Sequence, residues 1–304
     1  MLTRISKFLL VSIAIFAASL VTAHAQTTLT GEWRASLTKD DSKINVQFER
    51  KNEKGGRNSM GQTFEFSELG LTREQVLNGG PAHFSLTREA GSIECEGAFE
   101  NRKGSGTFRF TGNQAFLAAM KSRGFDFEKA TNKDYDEDYP AENRLFAATA
   151  LNVTTALADD LSSAGFKLDV GDLFKAAIFK VDSTFMREMK ATGYANLDFD
   201  DLVKAKIFHI DAGFVREAAQ MGFDKQPFEN LVKMSIFKVT PQFIADIRSE
   251  GLTDLTMEQI VKLKIFKIDA EAIRKAKAEG VPLTVDKLVE WKLGVKRMSS
   301  GRII

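Results

Sequence analysis

Four lysines recur at a fixed interval of 29 residues: Lys175, Lys204, Lys233 and Lys262. Ammonium groups repeated at one interval along a folded surface can bind an extended anionic partner, such as an acidic glycan or a row of lipid headgroups. A solvated helix surface needs the same residues without any ligand, and lysine near a helix C-terminus is favourable in itself. The spacing therefore predicts a candidate binding strip and leaves a purely structural alternative open.

A second candidate site is an acidic and aromatic segment. Its members are Asp134, Tyr135, Asp136, Asp138 and Tyr139. The three aspartates alternate like the first ligands of a calcium loop, but tyrosine replaces the glycine at the sixth position and Leu145 replaces the glutamate at the twelfth. These differences exclude an EF-hand and leave a calcium site of another kind open. A solvated loop, or a contact patch for a protein partner built around the two tyrosines, fits the same composition.

Residues that usually carry catalysis are few. The chain has three histidines and one cysteine in 304 residues, and it lacks the zinc-protease, serine-hydrolase, P-loop and C-x-x-C motifs. His83 lies in a predicted strand, and His209 takes a repeat position that lysine fills elsewhere. We therefore expect a protein that is not an enzyme and uses no cofactor. A hydrolase with an unrecognised site in the N-terminal region is the alternative.

The first 25 residues have the features of a cleavable signal peptide. Arg4 and Lys7 precede an apolar run at residues 8–18, and small residues surround position 25. The sequence therefore predicts cleavage after Ala25 and a periplasmic or secreted protein. Removal of the segment leaves 40 Lys and Arg against 41 Asp and Glu. Such a chain lacks the basic surface that nucleic-acid binding requires, and no later stretch is long enough to span a membrane.

Residues 27–111 show the period of two that is typical of strands. Apolar side chains alternate with polar ones around Trp33, Val46, Phe84, Cys95 and Phe108. Glycine-rich turns separate these stretches, and Thr72-Arg73-Glu74-Gln75 predicts one short helix with a capping box. We expect a small antiparallel sandwich or barrel of about six strands. In this pattern Cys95 is either a buried, inert thiol or, as the odd cysteine, the site of an intermolecular disulfide.

Residues 112–295 contain a 29-residue repeat. An Ile-Phe pair marks four units, at Ile178-Phe179, Ile207-Phe208, Ile236-Phe237 and Ile265-Phe266. Each unit carries two sets of helix start and stop signals, including glycines that follow helices and Asp or Thr residues that precede them. We therefore predict an α+β protein, in which the β-domain is followed by an αα-solenoid of about five units. A 13-residue insertion lies near residues 126–145, and we expect residues 296–304 to form a flexible tail.

The repeat unit at residues 239–265 resembles repeats in the extracytoplasmic regions of some bacterial BlaR1/MecR1-like sensor proteins and related exported proteins. The strand region before it resembles the segment that precedes those repeats, through Gly31-Glu32-Trp33, Gly79-Gly80-Pro81, Cys95-Glu96-Gly97 and Gly104-Ser105-Gly106-Thr107-Phe108. The resemblance implies an extracytoplasmic module. It does not extend to the peptidase, since the chain has neither the membrane helices nor the zinc-binding H-E-x-x-H of those sensors.

Together these observations predict an exported, non-catalytic binding or scaffolding module that contacts a protein partner in the cell envelope. Repeat arrays present extended surfaces suited to such contacts. Binding of an anionic glycan or lipid headgroup through the four lysines is the first alternative, and the hydrolase is the second.

Overall fold

The computed structural model describes residues 28–51, 56–129, 141–194 and 196–294. The fold is α+β, as predicted, with an antiparallel sheet followed by a helical region. The strands are β1 (Thr28–Leu37), β2 (Ile44–Lys51), β3 (Arg57–Phe64), β4 (Gly80–Arg88), β5 (Gly91–Glu100) and β6 (Lys103–Gly112). The predicted signal peptide and flexible tail lie outside the described residues.

The six strands form one sheet in the order β3-β2-β1-β6-β5-β4. The rings of Trp33 on β1 and Phe84 on β4 are 4.9 Å apart, although β6 and β5 lie between their strands. Neighbouring strands are about 4.8 Å apart, so a flat sheet would separate the two rings much further. The sheet is therefore strongly curled. The expected sandwich or barrel takes the form of a single open sheet, whose edges are β3 and β4.

Trp33 lies at the centre of the curled face and is completely buried. Its indole Nε1 donates a hydrogen bond of 3.0 Å to the carbonyl oxygen of Glu96. The ring fits because Gly97 and Gly106, which face each other on β5 and β6, leave no side chain there. A Cβ atom on Gly106 would come within 1.9 Å of the Glu96 carbonyl oxygen. Close strand approach and tryptophan burial thus depend on the same two glycines.

Cys95 points into the same core and is 1% exposed. Burial raises the pKa of its thiol to about 12. Because the thiolate is the reactive form, we expect the folded protein to resist a thiol reagent such as DTNB at about pH 8, and to react with one equivalent in denaturant. Rapid labelling of the native chain would contradict this expectation and reopen the intermolecular disulfide.

The helices after β3 begin with α1 (Arg73–Asn78), which has the predicted capping box between Thr72 and Gln75. The others are α2 (Gln114–Ser122), α3 (Ala141–Leu151), α4 (Thr155–Ser163), α5 (Val170–Phe179), α6 (Ser183–Ala191), α7 (Phe199–Ile207), α8 (Ala212–Gln220), α9 (Phe228–Ile236), α10 (Pro241–Ser249), α11 (Met257–Ile265), α12 (Ala270–Ala278) and α13 (Val285–Lys292).

Contacts between the helices follow the repeat. In one set, α3 packs against α5, α5 against α7, α9 against α11 and α11 against α13. In the other set, α2 packs against α4, α4 against α6 and α10 against α12. We call the odd-numbered helices from α3 to α13 the first layer and the even-numbered helices from α2 to α12 the second layer. Neighbouring units thus stack on one another, as an αα-solenoid requires.

Capping side chains begin the helices where the sequence predicts them. Asp169, Asp198 and Thr256 each accept a hydrogen bond from the third backbone N–H of a first-layer helix. Asp182 and Thr240 do the same for second-layer helices. The helix α9 differs, since Pro227 precedes it and makes no side-chain cap. These local signals fix the starts of helices of nine or ten residues, which are too short to be stable alone.

The helix α3 joins the array to the sheet. It contacts β3, β4, β5 and β6 as well as α5. The Phe146 ring lies 5.7 Å from Phe48, 5.3 Å from Phe108 and 5.5 Å from Phe110. Arg88 at the end of β4 donates to the carbonyl oxygens of Thr149 and Ala150, at 3.0 and 2.8 Å. The curled face of the sheet and the first unit therefore share one hydrophobic core.

Candidate binding surface on the helical array

The four lysines at the 29-residue interval, which we call the lysine ladder, are partners in ion pairs between units. Each ammonium contacts a carboxylate in the first turn of the next first-layer helix. The pairs are Lys175–Asp200, Lys204–Glu229, Lys233–Glu258 and Lys262–Asp286. For the last three the N–O distances are 2.6, 3.3 and 2.7 Å. The ladder therefore links successive first-layer helices from α5 to α13.

The electrostatics agree with this geometry. The hydrogen bond to Glu229 raises the pKa of Lys204, and the hydrogen bond from Lys262 lowers the pKa of Asp286. Both charged forms are thus favoured by the pairing. An anionic glycan or lipid headgroup would have to compete with these carboxylates for each ammonium. The structural alternative for the ladder consequently has direct support, while its role as a binding strip stays a prediction.

A different column of side chains is apolar and exposed to solvent. Ile178, Ile207, Ile236 and Ile265, which we call the isoleucine row, are 49%, 45%, 49% and 53% exposed. Each lies at or next to the end of a first-layer helix. Leu293, directly after α13, is 59% exposed. Among the described residues, the large hydrophobic side chains that face solvent are these five, so the array presents an apolar strip along one edge.

Helix geometry explains why the isoleucine row faces outward. At 100° per residue, Ile178 lies about 140° around α5 from the buried Leu173 and three residues from Lys175, on the same side as the ladder. The row was not singled out from the sequence, where the Ile-Phe pair served only to mark the repeat. A rotation of 100° per residue places both the lysines and the isoleucines away from the buried leucines. The isoleucine row could therefore have been identified from the sequence.

The first unit shows what happens when this position is covered. Ala150 is the counterpart of Ile178 and is 1% exposed. Arg88 from the sheet binds its carbonyl oxygen. The residue is therefore small where the sheet covers it and becomes isoleucine in the units beyond the sheet.

A column of three lysines and one histidine follows the isoleucine row two positions later. Lys180, His209, Lys238 and Lys267 are exposed and adopt the left-handed conformation, with φ between 51° and 57°. In that conformation the Cβ atom of a non-glycine residue lies too close to the following carbonyl oxygen, which costs free energy. At the ends of second-layer helices the chain uses glycine instead, as at Gly193. The negative end of the helix dipole favours a cation at the end of each first-layer helix and offsets part of the steric cost.

Replacing Lys180 with glycine should therefore stabilise the fold. We expect the free energy of unfolding to rise by about 0.5–1 kcal/mol, because glycine adopts positive φ without a Cβ clash. Urea denaturation followed by circular dichroism measures the change. The reciprocal variant Gly193→Lys is the control and should be destabilised. A loss of stability in Lys180→Gly would mean that the lysine side chain contributes more than its backbone costs.

Acidic residues balance the charge on this edge. Asp182, Asp211 and Asp269 begin second-layer helices two residues after Lys180, His209 and Lys267, and all six side chains are exposed. On the other side of the isoleucine row, the ladder lysines are paired with carboxylates. The apolar strip is therefore bordered on both sides by charges of both signs.

The acidic segment with Tyr135 and Tyr139, including the aspartates proposed for calcium, lies outside the described residues. His83 is exposed on β4, with Nδ1 3.9 Å from Glu96, and His209 is in the left-handed column described above. Within the part of the chain that the structure describes, no three His, Cys, Asp or Glu side chains are grouped to hold a metal ion. Nor does any helix there have the length and apolar character needed to cross a membrane.

The hydrolase alternative would need a cleft in the β-domain. On the curled face, α3 occupies the space that a ligand would need. A cavity of about 40 Å³ lies beside Phe48, Met60 and Phe146, which is room for no more than one or two water molecules. This part of the domain gives the hydrolase no positive support.

Comparisons with known proteins identify no relative of this chain. No family model matches the chain, and neither the curated proteins nor the solved structures include a significant match. The resemblance to the BlaR1/MecR1-like repeat regions accordingly stays a prediction, and the arrangement of the described side chains is the basis for proposing a function.

Proposed function

We propose that this chain is an exported, non-catalytic binding or scaffolding module that acts through protein–protein contacts in the cell envelope. The observation that carries the proposal is the isoleucine row, four half-exposed apolar side chains in register on successive units. Surfaces of soluble proteins carry scattered apolar residues, whereas an aligned apolar strip with polar borders is typical of an interaction site. The stacked units hold the strip rigid, so little order is lost on binding.

The aligned strip favours a protein over a soluble anion as the partner. Isoleucine side chains gain from burial against other apolar groups and offer nothing to a phosphate or carboxylate. The lysines that could attract an anionic glycan or lipid headgroup are already paired with carboxylates. The anionic partner is therefore the less supported candidate. Glutamine at all four ladder positions should abolish salt-sensitive binding to polyanions if that candidate is right.

Site-specific photocrosslinking in the envelope tests the proposed function. A photoreactive amino acid at position 207, in the isoleucine row, should give a crosslinked product of defined mass. Position 220 is the matched control, because Gln220 is also an exposed last residue of a helix, but in the second layer. Products at position 207 that vanish when Ile236 is changed to lysine would support binding through the row. Absence of any product at position 207, or identical products at both positions, would contradict it.

A further inference from the structure

We propose that the partner of the isoleucine row is the same row on a second copy of the chain, and that the two copies form an antiparallel dimer related by a two-fold axis. This inference rests on the proposed function and names the partner of that surface.

The row has a regular spacing. It contains one isoleucine for each stacked first-layer helix, so its members recur at the interhelical distance of about 10 Å. A partner must place apolar groups at the same interval to cover all of them. A second copy of the chain meets this requirement because it carries the same row at the same interval. A two-fold axis between Ile207 and Ile236 places Ile207 of one copy against Ile236 of the other, and Ile178 against Ile265.

The charges beside the row are balanced. The borders of the row carry both signs, with Lys180, Lys238 and Lys267 on the same edge as Asp182, Asp211 and Asp269. A surface with balanced charges does not repel a copy of itself, and its cations can meet the carboxylates of the other copy. The same balance gives little net attraction for an anionic membrane, which selects clusters of unpaired Lys and Arg.

The exposed isoleucines extend over four units. The sheet covers the equivalent position in the first unit, at Ala150, so the exposed part of the row runs from α5 to the end of α13. The half-exposed isoleucines on four units form an apolar strip of roughly a few hundred Å². Two such strips together with their polar borders approach the lower limit of specific interfaces, about 1,200 Å². We therefore expect a dimer that dissociates on dilution.

Sedimentation velocity of the chain without its predicted signal peptide tests the dimer. From ~1 to ~100 µM we expect the sedimentation coefficient to rise from the monomer value toward that of a dimer. The double variant Ile207→Lys/Ile236→Lys should weaken association at least about tenfold. The control variant Gln220→Lys/Ser249→Lys introduces two lysines at the ends of α8 and α10. It should leave the association constant unaltered. Thermal denaturation by circular dichroism verifies that each variant is folded.

Disulfide trapping tests the antiparallel arrangement. Cys95 is buried and is the single cysteine of the sequence, so introduced thiols are not confused with a native one. An equimolar mixture of Ile207→Cys and Ile236→Cys chains should form the mixed disulfide faster than either chain forms its own. Faster trapping within the separate chains would overturn the proposed two-fold relation.

Two outcomes separate this inference from the proposed function. A monomer at every concentration, or equal weakening by the row and control variants, overturns the dimer. If the photoreactive residue at position 207 then still captures a different protein in a row-dependent manner, the binding function stands with another partner. If it captures nothing, both proposals fail.

Discussion

Replacement of Phe146 by alanine is expected to lower the free energy of unfolding by about 3–5 kcal/mol, the range for large aromatic side chains in well-packed cores. Phe146 is 5% exposed and contacts three aromatic rings, one on β2 and two on β6. It lies in the middle of α3, the helix that packs both on the sheet and on α5. The cavity should therefore weaken the sheet and its attachment to the array together.

The two tryptophans report on these two parts separately. Trp33 is buried in the sheet core, and Trp291 lies on α13 at the far end of the array. Urea denaturation of Phe146→Ala, followed by fluorescence of each tryptophan in a background with the other changed to phenylalanine, should move the Trp33 transition to lower denaturant. Phe146→Leu is the control and should retain most of the stability. A loss below about 1 kcal/mol in Phe146→Ala would mean that α3 does not contribute a core side chain to the sheet.

The second large effect is expected in the middle of the array. Leu231 on α9 is completely buried and occupies the position that Leu202 and Ile260 hold in neighbouring units. Leu231→Ala should cost about 2–5 kcal/mol. Since each unit is stabilised mainly by its neighbours, a weak central unit should divide the array. We expect unfolding in two steps, in which the part beyond α9 loses structure before the part attached to the sheet.

Leu288→Ala on α13 is the matched variant. Leu288 is as deeply buried as Leu231, but its unit has a neighbour on one side only in the described chain. The substitution should therefore release α13 locally, which Trp291 fluorescence would detect at low urea while Trp33 and most of the helical circular dichroism are unchanged. Equal behaviour of the two leucine variants would contradict a linear stack of units.

Much of the fold follows from local signals in the sequence. Capping residues such as Asp182 and Thr240 predict where helices begin because the side-chain bond to the third N–H is a local interaction. Alternation around Val46 and Phe108 predicts which face of each strand is buried. Neither signal indicates which segment packs on the buried face of the sheet. The curling of the sheet and the packing of α3 against it depend on contacts between distant segments, which the alternation of apolar residues does not predict.

The candidate surface was only partly predictable. The interval of 29 identified the lysine ladder, and the carboxylates that pair with it form a column of their own through Asp200, Glu229 and Glu258, also 29 apart. Reading both columns together would have predicted the ion pairs. The isoleucine row was not predicted to be exposed, because isoleucine is usually assigned to a core. Its exposure becomes evident only when each helix is rotated to bury Leu173 and its counterparts.

The ion pairs of the ladder have a consequence for the growth of such a chain. Each lysine of the ladder pairs with an acid in an equivalent place on the next first-layer helix, so removal of one unit between ladder lysines should leave an equivalent junction. Deleting residues 211–239 would join Ile210 to Thr240, bring Glu258 opposite Lys204 in place of Glu229, and keep the remaining isoleucines in line. Gene duplication or loss in steps of 29 codons could thus lengthen or shorten the molecule while its edge stays continuous.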